Sequence, residues 1–420
     1  MKILVNAYAC NPYKGSEEGV GWGWVRMIAQ KHEVHVLVAA YHRDDIERYL
    51  AAHPDEAGRM HFYYPTPRPW HYRPTPGWKK IEHSMLKPIM NYAYRLWLVD
   101  AYRMAKHLHE EHRFDLAHQL TYVGFRFPGY LWKLDIPFVW GPLGGLENTP
   151  WRFLPAMGLK GAVYYSGRNV INTLHKLTLI TPRLAFAKAG PGVIAATDSI
   201  AKEIDRWYGV PATVISEIGP PELKADGTTG RKEGEPFRLS WSGEHLPGKA
   251  LPLLLEALAV FPAETDWRLD ILGTGPLTEQ WKRTAGKLGI AERCVWHGKL
   301  PRDEAVGTVH DSHVFVITSM KDLTSTVLLE ALSQGVPVVC PDHCGFSNVV
   351  TPECGIKIGV DDIRSFVDRL GKALLSLESD EPARRAMARG ALDRIAVYTW
   401  EAKAKQLEAV YRDVMRKETA

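Results

Sequence analysis

The chain has 420 residues, of which 45% are hydrophobic and 24% are charged, and its formal net charge is +4. This length exceeds what one hydrophobic core supports, so we expect two domains of about 200 residues each. The small positive charge does not indicate a nucleic-acid-binding protein. No apolar run of about 18 residues is present to span a membrane. Five cysteines in so long a chain indicate reduced thiols in a cytoplasmic protein rather than a disulfide framework.

A strand followed by a glycine-bearing turn opens the chain. Residues 3–7 are an apolar strand that starts directly after Met1, which indicates no secretory signal peptide. Gly15, Ser16 and Gly19 lie in the next loop, and a helix is predicted to about Lys31. The spacing is not the G-x-G-x-x-G dinucleotide fingerprint, so a nicotinamide cofactor is not indicated. The glycines let a ligand approach the backbone or simply permit a tight turn.

Residues 61–80 combine five prolines with aromatic and basic side chains. Prolines at this density disfavour regular structure, and aromatic rings mixed with Arg and Lys suit an anionic or interfacial surface. Contact with an acceptor or a membrane is one interpretation of this segment, and a proline-stiffened surface loop is the other. A long helix is predicted next, from about Ile81 to Glu111.

Two candidate binding segments follow in the first half. Residues 114–118 read as a strand that ends in His118 at its carboxyl edge. Residues 138–140 form another strand, which runs into a glycine-rich loop at 141–145. A lone histidine is most often structural, whereas one beside a glycine loop at a strand end is a candidate functional residue. Both interpretations of His118 stay open at this point.

The composition changes near Pro220, where residues 222–235 are polar and glycine-containing, as a linker is. The strand pattern restarts at residues 237–243 and continues through residues 267–272 and 294–297. The final helix, from about Thr399 to Lys417, is amphipathic and is predicted to pack back across the domain junction.

Residues 313–340 predict one β-α-β unit, with strands at 313–317 and 336–340. Its helix is expected to begin at the hydroxyl-rich turn 324–326, because Ser and Thr favour N-cap positions, and to end at Gly335. Parallel sheets bind ligands at the carboxyl ends of their strands, where helix N-termini attract anions. Asp322 and Glu330 are therefore candidates for one phosphate-and-sugar site. The alternative is a Glu330 that only complements the helix dipole.

The order of these motifs resembles the retaining glycosyltransferases of family four, which have the GT-B fold. This α/β fold consists of two facing Rossmann-like domains with parallel sheets. The resemblance implies an N-terminal acceptor-side domain at residues 1–218, with the C-terminal helix 399–420 packing back on it, and a nucleotide-sugar domain at 219–398. The segments that carry the resemblance are the Gly15 to Gly21 loop, His118, the Trp140 to Gly145 loop, Gly243 with Lys249, residues 272–276, His297 with Gly298, and residues 322–337.

The resemblance also implies a role for each matching residue. Lys249 would bind the donor diphosphate, Glu330 the ribose hydroxyls, and His118 would face the transferred sugar. The full set of donor contacts is Gly243, Lys249, Gly273, Gly275, Leu323, Thr324, Ser325, Thr326 and Glu330. The catalytic residues would be His118, Asp322 and Lys249, and the acceptor and phosphate loop would contain Gly15, Ser16 and Gly19. Hydrogen-bond donors aimed at the leaving diphosphate would stabilise the transition state without a metal ion or other cofactor.

Two positions depart from the family pattern. Asp322 stands where the E-x7-E motif has its first Glu, and its side chain is one methylene shorter. Glu244 follows Gly243 where the family has an arginine on the diphosphate. Either Glu244 points away while His245, Lys249 and helix amides compensate, or the donor site is altered or inactive. The thiols Cys340, Cys344 and Cys354 lack a C-x2-C knuckle, so zinc is not predicted there.

We therefore expect a metal-independent retaining glycosyltransferase that uses a UDP- or GDP-linked sugar. Its acceptor is expected to be a glycan or a lipid-linked molecule in bacterial surface glycan synthesis, and no nucleic acid is expected as a partner. The expected location is the cytoplasm, with peripheral contact at the inner face of the cell membrane. The alternatives are a catalytically inactive GT-B subunit that binds a partner or a membrane, and a GT-B epimerase or phosphorylase.

Overall fold

The computed structural model describes residues 1–65, 87–220 and 230–419, with side chains omitted for residues 87–92 and 417–419. The chain divides into two compact units. Most of the proline-rich segment 61–80 and of the linker 222–235 lies outside the described residues, and so do the first residues of the helix predicted from Ile81. The first unit contains Met1–Leu146, His175–Glu217 and Trp400–Ala420; the second contains Glu147–Leu174 and Ile218–Thr399.

The first unit is built on a seven-stranded parallel sheet with the order β3-β2-β1-β4-β5-β6-β7. The chain adds strands on one side of β1 and then returns to add the others on its opposite side. Such a reversal creates a crevice at the carboxyl ends of β1 and β4. The strands are β1 Lys2–Ala7, β2 Glu33–Leu37, β3 Met60–Tyr63, β4 Leu116–Thr121, β5 Phe138–Leu143, β6 Val193–Ala195 and β7 Thr213–Val214.

Helices cover this sheet, and local signals in the sequence set their ends. At the helix Asp198–Tyr208, the Thr197 side chain accepts a hydrogen bond from the amide of Ile200, and Gly209 follows with a φ of 65°. These are a side-chain N-cap and a left-handed C-terminal glycine. The helices assigned to the first unit are Ser16–Ala29, Arg43–Ala52, Pro54–Ala57, Lys87–His112, Ile180–Ala189, Asp198–Tyr208 and Trp400–Thr419.

The second unit contains a six-stranded parallel sheet with the order β10-β9-β8-β11-β12-β13. This order reverses between β8 and β11, so the carboxyl ends of these two strands flank the crevice in which open α/β sheets bind ligands. The predicted α/β class with two parallel sheets is confirmed. The strands are β8 Phe237–Ser242, β9 Trp267–Leu272, β10 Cys294–Gly298, β11 Val314–Val316, β12 Val338–Pro341 and β13 Gly355–Ile358.

Both faces of the second sheet are covered by apolar side chains. One buried cluster joins Leu239, Trp241 and Phe366, and the other joins Phe315, Leu328 and Val338. The covering helices are Pro252–Ala259, Thr278–Lys287, Arg302–His310, Thr326–Ser333, Phe346–Val349, Ile363–Ser379 and Glu381–Ile395. In the described part of the chain, no helix combines the length and the apolar character that a membrane crossing requires.

The segment Glu147–Leu174 belongs to the second unit, whereas the sequence placed it in the first domain. The physical reason is its apolar side chains. Phe153, Leu154, Met157 and Tyr165 lie in the same buried cluster as the strands of the second sheet. The helix Gly158–Thr178 begins in this segment and runs on to the start of His175–Glu217.

Candidate functional site

Lys249 and Asp322 form an ion pair at the carboxyl edge of the second sheet. Lys249 lies in the turn after β8 and Asp322 in the loop after β11, which are the two strands at the reversal of strand order. Lys249 Nζ donates to Asp322 Oδ2 over 2.6 Å, and the two side chains are 22% and 20% exposed. The pair is enclosed enough to be held in place and open enough for the ammonium to meet a ligand.

The main chain of Lys249 is fixed by hydrogen bonds from the neighbouring strand ends. The Thr318 hydroxyl donates to the carbonyl of Lys249 over 2.7 Å, and the indole N–H of Trp241 donates to Thr318 Oγ1 over 3.0 Å. Lys249 closes a short 3-10 turn, Pro247–Lys249, and Ala250 follows with a φ of 46°. The ammonium is therefore presented from a rigid support.

Tyr165 packs on this turn and was not identified from the sequence. A Cβ added to Gly248 would lie 2.5 Å from Tyr165 Oη, and one added to Gly161 would lie 2.7 Å from the Cβ of Pro247. Burial raises the pKa of Tyr165. No motif marks Tyr165, because it lies on a helix that precedes the second sheet by some seventy residues.

The predicted glycines hold the strand-end loops against one another. Gly273 has a φ of +106°, and a Cβ there would lie 2.0 Å from the carbonyl oxygen of Gly243. A Cβ on Gly275 would lie 2.8 Å from the backbone of His245. Gly273 and Gly275 are thus required where the loop after β9 packs on the loop after β8. Gly243 itself lies beside the Lys249 stem, since a Cβ there would be 3.5 Å from Lys249 Cδ.

Glu244 and His245 differ sharply in their surroundings. Glu244 is exposed, whereas the His245 side chain is fully buried, and its Nδ1 lies 2.7 Å from the hydroxyl of Thr278. Burial lowers the pKa of His245 to about 4, so its ring is neutral near pH 7. A neutral, buried ring brings no positive charge to this edge, which leaves Lys249 and the helix amides as the groups that would compensate for a missing arginine.

The loop 322–326 is held in place by its own hydrogen bonds and by the next strand-end loop. Asp322 Oδ1 accepts from the amide of Leu323 over 3.1 Å, and the amide of Gly345 donates to the carbonyl of Leu323 over 2.9 Å. A Cβ on Gly345 would lie 2.8 Å from the Cα of Thr324, which is buried. Gly345 was not predicted as a site residue, although this contact sets the path of the loop.

The helix Thr326–Ser333 starts without a cap of its own. Ser325 occupies the N-cap position with a φ of 70°, makes no side-chain cap hydrogen bond, and no acidic residue stands in the first turn. The predicted capping by this hydroxyl-rich turn is wrong, because a capping side chain needs an extended backbone at the N-cap. The free amides and the positive end of the helix dipole remain available to an anion.

Glu330 is paired with Arg302, a residue that sequence reasoning missed. Glu330 Oε1 accepts from Arg302 Nε over 3.0 Å and lies 2.9 Å from Arg302 Nη2. The Glu330 side chain is 12% exposed and that of Arg302 is 65% exposed. The pair orients the carboxylate near the start of the helix. Any hydroxyl that binds Glu330 shares this carboxylate with the guanidinium.

His118 lies in the interior of the first unit. The strand β4 continues to Thr121, so His118 is not at the carboxyl edge as predicted from the sequence. Its Nδ1 lies 2.8 Å from the hydroxyl of Tyr411, and its Nε2 lies 2.8 Å from the carbonyl oxygen of Gly141. The ring is fully buried, and burial lowers its pKa to about 4. Contact with a sugar would require the ring to leave both partners.

Gly15, Ser16 and Gly19 lie at the start of the helix Ser16–Ala29. Gly15 and Ser16 are exposed, and a Cβ on Gly19 would lie 2.6 Å from the carbonyl oxygen of Lys14. Two carboxylates, Glu17 and Glu18, stand in the first turn of this helix. The negative charge of Glu18 opposes a phosphate at this N-terminus, so a hydroxyl-bearing ligand suits the turn better.

Glu17 is an additional candidate that the sequence did not single out. Its Oε1 accepts from the amide of Val123 over 2.7 Å. Burial raises the pKa of Glu17 to about 7, although the hydrogen bond from Val123 opposes this shift. A carboxyl group that titrates near neutral pH can both donate and accept a proton.

Residues 226–393 match the model of the family described as glycosyl transferases group 1. The D-inositol 3-phosphate glycosyltransferase of Corynebacterium urealyticum is 28% identical over 246 residues, which cover 57% of this chain and 51% of that relative. The chain spans about half the length of the curated relatives that it matches.

Two solved structures share the fold over their whole length. The apo form of the lipopolysaccharide outer core galactosyltransferase WaaB has a TM-score of 0.65 at 14% identity, with 100% of both chains covered. Anabaena HepE in complex with UDP has a TM-score of 0.60 at 14% identity, with 98% of this chain and 100% of the other covered. These likenesses confirm the predicted GT-B fold. The match of residues 226–393 to the glycosyl transferases group 1 confirms the family resemblance of the motifs in that part of the chain.

Proposed function

We propose that the protein transfers a sugar from a nucleotide diphosphate sugar to a glycan or lipid-linked acceptor, with retention at the anomeric carbon. The observation that carries this proposal is the joining of two anion-binding features at one sheet edge. Lys249 is paired with Asp322, and four residues after Asp322 the uncapped helix Thr326–Ser333 begins. Support also comes from HepE, a protein of the same fold whose structure contains UDP.

The chemistry follows from these groups. When the bond from the anomeric carbon to the diphosphate breaks, negative charge develops on the leaving oxygen. Lys249 and the amides at the start of the helix are preorganised donors for that charge. In a retaining transfer, the acceptor oxygen bonds to the face that the diphosphate leaves, and the acceptor proton passes to the leaving oxygen. Asp322 holds the Lys249 ammonium in place until the diphosphate replaces the carboxylate as its ion-pair partner.

The transfer is proposed to need no metal ion, because the ammonium and the helix amides supply the positive charge. Turnover should therefore persist in excess EDTA. Loss of turnover in the chelator, with recovery on addition of Mn²⁺, would assign the charge stabilisation to a cation instead.

A thermal-shift panel with UDP, GDP, ADP and their sugars tests donor binding, since a ligand that binds only the folded protein raises the melting temperature. We expect one nucleotide to raise it in the native protein and in Lys287→Met, an exposed control in the same unit, but much less in Lys249→Met. If every nucleotide leaves the melting temperature unchanged, the donor site is wrong. A nucleotide sugar that binds but is never consumed with any glycan or lipid acceptor would favour the inactive subunit.

An anionic membrane is proposed as the surface on which a lipid-linked acceptor is met. Most of the proline-rich segment 61–80, from which the sequence predicts acceptor or membrane contact, lies outside the described residues. Support now comes from the helix Gly158–Thr178, where seven apolar side chains are each at least 50% exposed. They are Leu159, Val163, Tyr164, Val170, Ile171, Leu174 and Leu177.

These seven side chains fall within a broad arc of one helix, which is the pattern of an interfacial helix. The exposed basic residues Lys160 and Arg168 stand within and beside this apolar arc. An apolar face with basic side chains fits anionic lipid, because the rings and aliphatic chains enter the interface while the cations meet the headgroups.

Sedimentation with vesicles of anionic or neutral lipid tests this surface. The triple variant Leu159→Ser, Val163→Ser and Val170→Ser should lose binding to anionic vesicles. The double variant Val260→Ser and Val397→Ser, which changes exposed apolar residues elsewhere, should retain it. Native binding should weaken as salt is raised. Equal binding by the native protein and the triple variant, or no binding by the native protein, removes the proposal.

A further inference from the structure

We propose that Glu33, His35 and His61 form a binding site for a divalent transition-metal cation of the Zn²⁺ type, at the edge of the first sheet. One donor atom from each side chain lies within 4.8 Å of the other two. This site lies in the first unit and is separate from the Lys249 edge of the second sheet. It is an addition to the proposed sugar transfer and takes no part in its chemistry.

The strand register explains why these three side chains converge. Glu33 and His35 are two residues apart on β2 and therefore point to the same face of the sheet. His61 lies directly opposite His35 on the neighbouring parallel strand β3. Two adjacent strands thus present one carboxylate and two imidazoles from a rigid backbone.

The distances between the ligand atoms suit a tetrahedral ion. Glu33 Oε1 lies 3.1 Å from His35 Nε2 and 3.6 Å from His61 Nε2. Bonds of about 2.0–2.1 Å around tetrahedral zinc place neighbouring ligand atoms about 3.3 Å apart. Two of the three separations therefore already match ligands of a single ion. Two histidines and one glutamate are also a common ligand set for zinc.

A second layer of polar groups fixes the ring of His35. His35 Nδ1 lies 3.0 Å from the Tyr63 hydroxyl, which in turn lies 3.3 Å from His112 Nε2. When Nδ1 donates to the Tyr63 hydroxyl, Nε2 carries the lone pair and can bind a metal ion beside the Glu33 carboxylate. Hydrogen bonds of this kind orient the ligands in known zinc sites.

The site is also open to an ion. The side chains of Glu33 and His61 are 39% and 42% exposed, so an ion can enter and water can complete its coordination. All five cysteines are buried, which separates this site from the thiols.

Zinc titration of the metal-free full chain against a chromogenic chelator tests the site. We expect one equivalent to bind. Glu33→Gln and His61→Ala should each lower the affinity by at least about 100-fold, and Tyr63→Phe by about 10-fold. His107→Asn, which changes an exposed histidine of the same unit, should bind zinc like the native chain. Titration with Co²⁺ should give the visible bands of a four-coordinate nitrogen and oxygen site, without thiolate charge-transfer absorption.

The double variant Glu33→Gln and His61→Ala gives the decisive comparison. Zinc should raise the melting temperature of the native chain and leave that of the double variant unchanged, while nucleotide binding by both stays equal. Unaltered zinc affinity in the double variant would show that the ion binds to other residues and would contradict the proposed site. No zinc binding by the native chain would leave Glu33 as a hydrogen-bond partner of His35 alone and overturn the proposal.

Discussion

Lys249 Nζ and Asp322 Oδ2 lie 2.6 Å apart across the reversal of strand order in the second sheet. The pair joins two loops that are more than seventy residues apart in the sequence. It also holds the ammonium at the sheet edge, where its side chain is 22% exposed and can meet a stronger anion. A diphosphate carries more negative charge than one carboxylate. It can therefore displace Asp322 as the partner of the Lys249 ammonium without disturbing the main chain of Lys249.

Opposite effects on binding are predicted for the two members of this pair. Lys249→Met should lower nucleotide diphosphate affinity by about 10- to 100-fold, the equivalent of one charge-assisted hydrogen bond. Asp322→Asn should raise that affinity several-fold because it frees the ammonium, yet lower turnover because the ammonium loses its support. Calorimetric titration and a coupled assay for released nucleotide measure the two effects. Native affinity in Lys249→Met would contradict the assignment.

Glu330→Gln should lower donor affinity by about 10- to 100-fold if the carboxylate binds the ribose hydroxyls, because the amide loses charge and turns one acceptor into a donor. Arg302→Ala is the matched control. It removes a largely exposed partner, whose ion pair contributes about 0–1 kcal/mol, so affinity should fall only a few-fold. Both are measured by calorimetric titration. Unchanged affinity in Glu330→Gln would make the pair with Arg302 purely structural.

The raised pKa of Glu17 predicts that the free energy of unfolding falls as pH rises. Its folded pKa of about 7 lies above the ordinary value of 4.5, so the folded state holds a proton that the unfolded chain has released. The contribution of Glu17 to the free energy of unfolding is fully present below about pH 4.5 and is lost as pH rises through 7. This loss is at most about 3 kcal/mol. Glu17→Gln should flatten this decline in urea unfolding between pH 5 and 8, while Glu110→Gln should not. Parallel profiles for Glu17→Gln and the native protein would refute the shift.

His118→Leu is expected to act on stability. The change leaves the Tyr411 hydroxyl and the Gly141 carbonyl without their ring partner, at about 1–3 kcal/mol for each buried group. Tyr411→Phe should cost less, because it removes only one of the two bonds. Urea unfolding gives the stability, and nucleotide titration should give the native affinity in both variants. Turnover lost at unchanged stability would instead restore the role facing the sugar.

The sequence predicted the parallel sheets, because runs such as those of β11 and β12 are apolar along their whole length. The family resemblance implied one donor site for Lys249 and Asp322, and the structure brings both to one edge because they follow neighbouring strands of the same sheet. The predicted position of His118 is wrong because the strand is longer than predicted. The sequence predicts a strand that ends at residue 118, whereas β4 continues to Thr121. The loop that leads into Ser325 is held by contacts of Leu323 and Thr324 with Gly345, and local propensity does not report such contacts.

Contacts between residues far apart in the sequence are the main features that the sequence did not predict. Arg302 and Glu330 lie 28 residues apart on different helices, and Tyr165 reaches its turn from a segment that the composition assigned to the other domain. Glu33, His35 and His61 become neighbours only when the register of β2 and β3 is known. Each of these depends on tertiary packing, which a single sequence does not report.

The return of the helix Trp400–Thr419 to the first unit has a consequence for synthesis on the ribosome. Tyr411 is the partner of His118, and the Trp400 ring fills the space beside Gly23, where a Cβ would meet it at 2.4 Å. Both groups emerge only after residues 218–399 have been made. The unit that is begun first is therefore completed last. During elongation the core of the first unit stays incomplete, because the Tyr411 hydroxyl that pairs with His118 has not yet been made. The second unit already has its whole sequence at that stage and can fold.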